Sequence, residues 1–310
     1  MKAYQKLLLA CAAMVLCACV LSPLVKPLAD HWIPKSPKLT WKLDYDKDSR
    51  TYNFGKVFRR MLMVSAVLVF VLAGKALQLG SLAKLGLRRT AGWMRHLAAG
   101  TLIGVTSMAG FMALLWALRA ATWRTPISLA EFSLDLLKYL IQAACIGVFE
   151  ETLFRGVVLQ TLLKDMRFLL AAGLSSALYS ILHFFAADVP VTLGADPGVG
   201  FRALGICFAP MVTRPEIIPA FLGLFLLGVV LACAYRWTGS LYLPIALHAS
   251  WVFALKGSGN LLHLGLGRPA WLYGTNQIVD GVPGCLFLLA VWLLLWVLYG
   301  RKTDPISSPD

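Results

Sequence analysis

Charge is what this 310-residue chain has least of. Asp, Glu, Lys and Arg together make up 14% of it, against 59% hydrophobic residues, and the mean hydropathy is +0.72. A soluble domain carries about 25% charged residues, because its surface must meet water. The deficit excludes a large water-soluble globule and points to lipid as the solvent. Acidic residues are scarcer still, 15 against 29 basic ones, for a net charge of +14. The basic residues sit mainly in gaps between apolar runs, as at Arg59-Arg60, Arg88-Arg89 and Arg301-Lys302. That placement suits anionic lipid headgroups and argues against a nucleic-acid partner. There is no C-x-x-C pair among the seven cysteines, so neither a metal knuckle nor a disulfide framework is indicated. No fixed-period repeat is present, and the only sizeable polar stretch, 26–57, reads as a loop.

What the chain does have is apolar runs. The expected fold is an all-α integral membrane protein of about eight transmembrane helices enclosing a buried catalytic cavity. The spans fall near 7–25, 61–80, 97–118, 139–163, 168–187, 216–236, 241–256 and 283–300, each near the ~20 residues needed to cross the hydrocarbon. Pro23 and Pro27 are expected to end the first, read as an uncleaved span rather than a signal peptide. Ser128-x-x-Glu131 has the capping-box pattern and predicts a helix start. Lys164-Asp165-Met166-Arg167 reads as a tight turn, 188–200 as a Gly/Pro-rich linker and 201–212 as an interfacial segment. His31 is expected in a loop, and His96 and His263 near span ends. Lys and Arg fall on both sides of the spans, so the positive-inside rule does not fix orientation. Three parts follow: N-terminal spans with the polar loop and a basic interfacial segment (1–127), a core (128–256), and a C-terminal loop, last span and tail (257–310).

The core carries polar residues that lipid should exclude. Glu150, Glu151 and Arg155 lie in the middle of one run, where each charge costs on the order of 3 kcal/mol. Glu151 and Arg155 are four apart and can pair on one helix face. Glu150 points about 100° away and is left for chemistry. With a rise of about 1.5 Å per residue, Glu150 and His183 fall about 20 Å and 22 Å from the turn joining their helices. His248 falls about 12 Å from its own turn on the same side. A glutamate and two histidines from three helices make a plausible hydrolytic site. Each has a plainer reading: a structural ion pair for Glu151–Arg155, interhelical hydrogen bonds for the histidines. A proton relay in a transporter is a further alternative.

At these residues the sequence resembles the CPBP group, the type II CAAX prenyl endopeptidase and Abi family of intramembrane proteases. The first motif, E-E-x-x-x-R, stands in full as Glu150-Glu151-Thr152-Leu153-Phe154-Arg155. The second, F-x-x-x-H, reads Tyr179-Ser180-Ile181-Leu182-His183. The third, H-x-x-x-N, reads His248-Ala249-Ser250-Trp251-Val252, without the asparagine. The resemblance covers about 128–256. It implies catalysis by Glu150, Glu151, Arg155, His183 and His248: a water activated by Glu150 and His183, an oxyanion held by His248, and Arg155 holding Glu151. It also implies a membrane-associated or lipidated peptide as substrate and partner, and a bacterial inner-membrane location. Val252 removes a donor, which leaves a non-catalytic scaffold or immunity protein as an alternative. Glu150, His183 and His248 also have the composition of a zinc ligand set, although H-E-x-x-H is absent.

Overall fold

The computed structural model describes residues 1–32, 45–46, 51–81, 83–89, 92–123, 129–184, 196, 198–214, 217–264 and 281–302. Its helices are α1 (Ala3–Trp32), α2 (Phe54–Ala73), α3 (Trp93–Ala117), α4 (Leu129–Glu151), α5 (Phe168–His183), α6 (Val199–Thr213), α7 (Ile217–Thr238), α8 (Tyr242–Leu261) and α9 (Gly281–Leu298). α4 runs without a break into a π-helical segment, Thr152–Leu159, and a last turn, Gln160–Leu162. Two short antiparallel pairs are the only strands among the described residues: Tyr45–Asp46 with Thr51–Tyr52, and Ala121–Trp123 with Leu262–Leu264. The protein is an all-α integral membrane protein. Among the described residues, five helical stretches are long and apolar enough to cross a membrane: Ala3–His31, Trp93–Ala117, Phe132–Leu162, Ile217–Thr238 and Gly281–Leu298. The expected count of eight is therefore not reached on length and composition. α5 and α6 are shorter, at 16 and 15 residues. α8 is interrupted by His248, Ser250, Lys256, Ser258 and Asn260, and α2 starts with Lys56, Arg59 and Arg60.

The chain divides into two compact units. One comprises Met1–Gln78 with Ile181–Ile217, the other Leu79–Ser180 with Ile218–Asp310. In the first unit α1 packs on α2 and α6. α1 passes through Pro23 and Pro27 instead of ending there, so His31 lies in its last turn and not in a loop. A proline removes the donor to the carbonyl four residues back, a loss tolerated in membrane helices where a neighbour covers the freed group. Gly200 of α6 sits directly on the Cys19 carbonyl that Pro23 leaves free, so closely that a Cβ would overlap its oxygen. α2 starts seven residues earlier than expected because Asn53 caps it, its side chain accepting from the Gly55 N–H at 2.9 Å. Residues 33–44, 47–50 and most of the 188–200 linker lie outside the described residues.

In the second unit α8 packs between α3 and α4. Without a hydrophobic effect between helices in lipid, close approach depends on small residues. Gly100 and Gly104 of α3 provide it: a Cβ on Gly100 would come within 2.6 Å of the Leu243 carbonyl, and one on Gly104 within 2.6 Å of Ser250 Cβ. Gly147 of α4 meets the other flank of α8 at Ile245 and Ala249. α8 is thus gripped on two sides at the level of His248. Gly228 of α7 similarly admits Ser176 of α5. One end of this unit is lined with aromatic and basic groups: Trp93 rests on Tyr242, Arg236 covers Phe168 and Arg301 covers Trp296. Such pairs suit the headgroup layer. α4 begins at Leu129, where the capping-box pattern predicts; Ser128 itself lies outside the described residues.

Candidate active site

The site is assembled where α4 gives way to π winding. Glu150 and Glu151 close α4, and the wider turns from Thr152 to Leu159 carry Arg155. π turns concentrate at functional positions. From Phe154 to Leu159 every residue is buried, so the helix leaves a partly exposed stretch and enters full enclosure within one turn of the two carboxylates.

Glu151 and Arg155 are paired as their spacing predicts, Nη1 to Oε1 at 2.7 Å, with exposures of 0% and 1%. Arg155 also donates from Nη2 to the Gly228 carbonyl on α7 at 3.0 Å. Its guanidinium lies 5.1 Å from the Tyr179 ring centroid, a cation–π distance. A buried charge needs several such partners, and Arg155 has them on α4, α5 and α7.

Glu151 holds more than Arg155. The same Oε1 lies 2.7 Å from His248 Nδ1. An ionised carboxylate, as its pairing with Arg155 requires, can only accept. Nδ1 therefore carries the proton and donates to Glu151, which fixes the ring and presents Nε2 on the far side. Nε2 lies 3.7 Å from Glu150 Oε2. That is too long for a direct hydrogen bond and suited to bridging by a water or a substrate oxygen. Glu150 is 21% exposed, against 3% for His248, so it is the acid of the pair with access to an incoming molecule. Glu151 Oε2 and Thr152 Oγ1 are buried with no hydrogen-bond partner among the described residues, adding unspent polar capacity beside the cluster.

Four of the five expected residues, Glu150, Glu151, Arg155 and His248, are brought together. The expectation that Glu151 serves only Arg155 is incomplete, since it also anchors His248. The estimate that set His248 about 8 Å shallower than Glu150 is corrected. π winding rises less per residue than the α-helix assumed in it, which draws Glu150 toward the turn, and helix tilt contributes too. His183 ends α5, one turn beyond Tyr179 on the same helix face, and belongs to the other unit. Val252 lies one turn beyond His248 on α8 and is half-buried. Among the described residues no group of three His, Cys, Asp or Glu side chains is arranged to hold a metal ion.

Sequence reading missed two participants. Gly228 offers only a backbone carbonyl, which no side-chain pattern reveals. Tyr179 carried a signal: a hydroxyl in an apolar helix must find a partner. Its ring, 1% exposed, meets Phe154 edge-on at 4.9 Å and His248 at 6.2 Å.

The family profile described as type II CAAX prenyl endopeptidase Rce1-like matches residues 132–254. This part of the chain is similar to that family. The matched segment runs from the first turns of α4 to Ala254 of α8 and contains every residue of the cluster. The Rce1-like family is one of membrane proteases, which agrees with a polar cluster enclosed by apolar helices. No curated protein and no solved structure matches the chain.

Proposed function

We propose that the chain is an intramembrane endopeptidase that hydrolyses a membrane-associated or lipidated peptide with a water activated at Glu150. The observation that carries this reading is the presentation of His248. Its Nδ1 is held by Glu151 and its Nε2 faces Glu150 across 3.7 Å, so one reacting oxygen placed beside the pair can touch both.

Glu150 takes a proton from water as the oxygen attacks the scissile carbonyl carbon. Charge develops on the carbonyl oxygen, and His248 donates to it from Nε2 in its doubly protonated form. Glu150 then returns its proton to the departing amine as the C–N bond breaks, leaving a new carboxylate and a new amino terminus. Arg155 acts through Glu151: it keeps that carboxylate aimed at His248.

The test is cleavage of a membrane-peptide library by the purified protein, wild type beside Glu150→Ala, with and without chelator. A positioned general base contributes on the order of 10²- to 10⁴-fold, so cleavage falls by at least a hundredfold in the variant and persists in chelator. Equal cleavage by the variant overturns the role of Glu150. A folded wild type that cleaves nothing favours the non-catalytic reading. That reading rests on Val252, which offers no donor where the family pattern has asparagine.

A further inference from the structure

We infer that the segment Lys84–Arg89 senses an anionic lipid leaflet: headgroups held by Lys84, Arg88 and Arg89 keep in place a wedge that braces the helices of the candidate site. The wedge is Ala83–Leu87, just ahead of Arg88-Arg89. Leu85 is 8% exposed and meets the site helix at Gly156, the residue after Arg155. A Cβ on Gly156 would come within 3.1 Å of the Leu85 carbonyl oxygen. Gly86 has a φ of 97°, a left-handed conformation that glycine adopts without strain. Its carbonyl accepts from the Leu241 N–H at 3.0 Å, and a Cβ on it would lie 3.0 Å from both the Leu241 side chain and the Tyr235 ring. The next carbonyl, of Leu87, accepts from the Tyr242 hydroxyl at 3.1 Å. The wedge therefore touches the site helix, the end of α7 and the start of α8 at once. Tyr235 in turn accepts from Gln160 at 2.7 Å, and His248 lies within two turns of Tyr242 along α8.

The end of the unit that holds the wedge is strongly basic. Arg95 stands in the first turn of α3, Arg236 in the last turn of α7 and Arg301 just after α9, and the Lys164–Arg167 turn joins the site helix to α5. Asp165 is the one acidic side chain at that end among the described residues. Toward the opposite end the described basic residues are Arg119, Lys138 and Lys256, and Asp135 binds Lys138 at 3.1 Å. Lys84, Arg88, Arg89 and Arg95 are exposed, and like charges so close repel one another. Without counter-charge that repulsion works against the few bonds that seat the wedge. Arg89 lies 5.3 Å from the Trp93 ring, which itself rests on Tyr242. Basic groups beside indole and phenol rings at the ends of apolar helices match the headgroup layer. Each Lys or Arg near an anionic leaflet contributes about fivefold in binding. A soluble polyanion would meet the charges but not the apolar helix faces beside them, so the partner is a leaflet. The lipid contact stands on these observations alone, whereas its effect on activity rests on the proposed hydrolysis. A seated wedge fixes Gly156 and Tyr242, and through them the helices carrying Arg155 and His248.

The test is hydrogen exchange of the full chain in nanodiscs of phosphatidylcholine alone and of phosphatidylcholine with about one-third phosphatidylglycerol. The expected result is several-fold slower exchange at residues 83–89 and at the Leu241 amide in the anionic discs, with Ala121–Trp123 at the other end unchanged. Lys84→Gln combined with Arg88→Gln removes about 25-fold of the attraction and cancels the slowing. Both side chains are exposed, and unchanged exchange across α9 reports an intact fold. Inorganic phosphate added to phosphatidylcholine discs has no effect; slowing by phosphate alone makes the partner a free anion and overturns the inference. Equal exchange in the two discs, or slowing that survives in the double variant, overturns it as well. Where the wild type cleaves peptide, its kcat is several-fold higher in the anionic discs and that of the double variant is the same in both. A wild-type kcat indifferent to the lipid breaks the link between wedge and site. Glu150→Ala keeps the exchange response, so failure of the proposed function and failure of lipid sensing are read separately.

Discussion

α9 and the site helix solve the same problem in opposite ways. α9 has no charged residue, and its buried positions, Gly281, Gly284, Leu288, Val291 and Leu295, alternate by three and four. That spacing draws one stripe down the helix, and exposed leucines and valines cover the rest. Its place is set by packing alone. The site helix is sparsely buried through α4, at Ala143, Gly147 and Glu151, and then buried on every side from Phe154 to Leu159. Glu150, Glu151 and Arg155 stand at that change of surroundings. Lipid-facing residues need only be apolar, whereas enclosed polar residues must match named atoms on other helices. The first requirement tolerates substitution and the second does not.

Four substitutions test that contrast, from the largest expected effect down. Arg155→Met strips Glu151 of its counter-charge and the Gly228 carbonyl of its donor, which destabilises by about 3–5 kcal/mol. The unfolding midpoint in detergent drops or folded protein is lost. Leu288→Ala on α9 opens a cavity at a fully buried position. It costs near the low end of roughly 2–5 kcal/mol, because lipid supplies no hydrophobic transfer term. Cleavage per folded molecule stays unchanged. Gly228→Ala places a Cβ 2.7 Å from Ser176 Cβ and costs about 1–3 kcal/mol by overpacking. It also moves the carbonyl that Arg155 holds, so cleavage per folded molecule falls. Leu289→Ala, on the exposed side of α9, changes the midpoint by within about 0.5 kcal/mol. If Leu289→Ala costs as much as Leu288→Ala, the stripe is misplaced and the contrast fails.

The sequence discloses the requirements that are local and hides those that are not. The Glu151–Arg155 pair is a spacing on one helix and was legible. So were the membrane class, the runs for α3, α7 and α9, and the meeting of Glu150 with His248 on different helices. The extent of α1 was not, because two prolines read as terminators unless the neighbour covering the freed Cys19 carbonyl is known. The shared use of Glu151 by Arg155 and His248 depends on how far α8 is drawn in by glycines on α3 and α4. That is a property of three helices and not of any window of sequence. π winding from Thr152 shifts every facing after Glu151, and the apolar pattern there, Leu153-Phe154-x-Gly156-Val157-Val158-Leu159, does not distinguish it from an α-turn. The same residues show why: when every face is buried, periodicity carries no information.

The pairing of Glu151 with Arg155 also bears on how the chain enters the bilayer at all. During synthesis a helix meets lipid before its later neighbours exist. Glu151 and Arg155 are one turn apart on a single segment, so they can neutralise each other at that moment with no help from α7 or α8. Glu150 enters beside that pair, and the helices that complete the site, α5, α7 and α8, emerge after it. The order of residues along the chain therefore gives one of the site's two acids its counter-charge before any neighbouring helix exists.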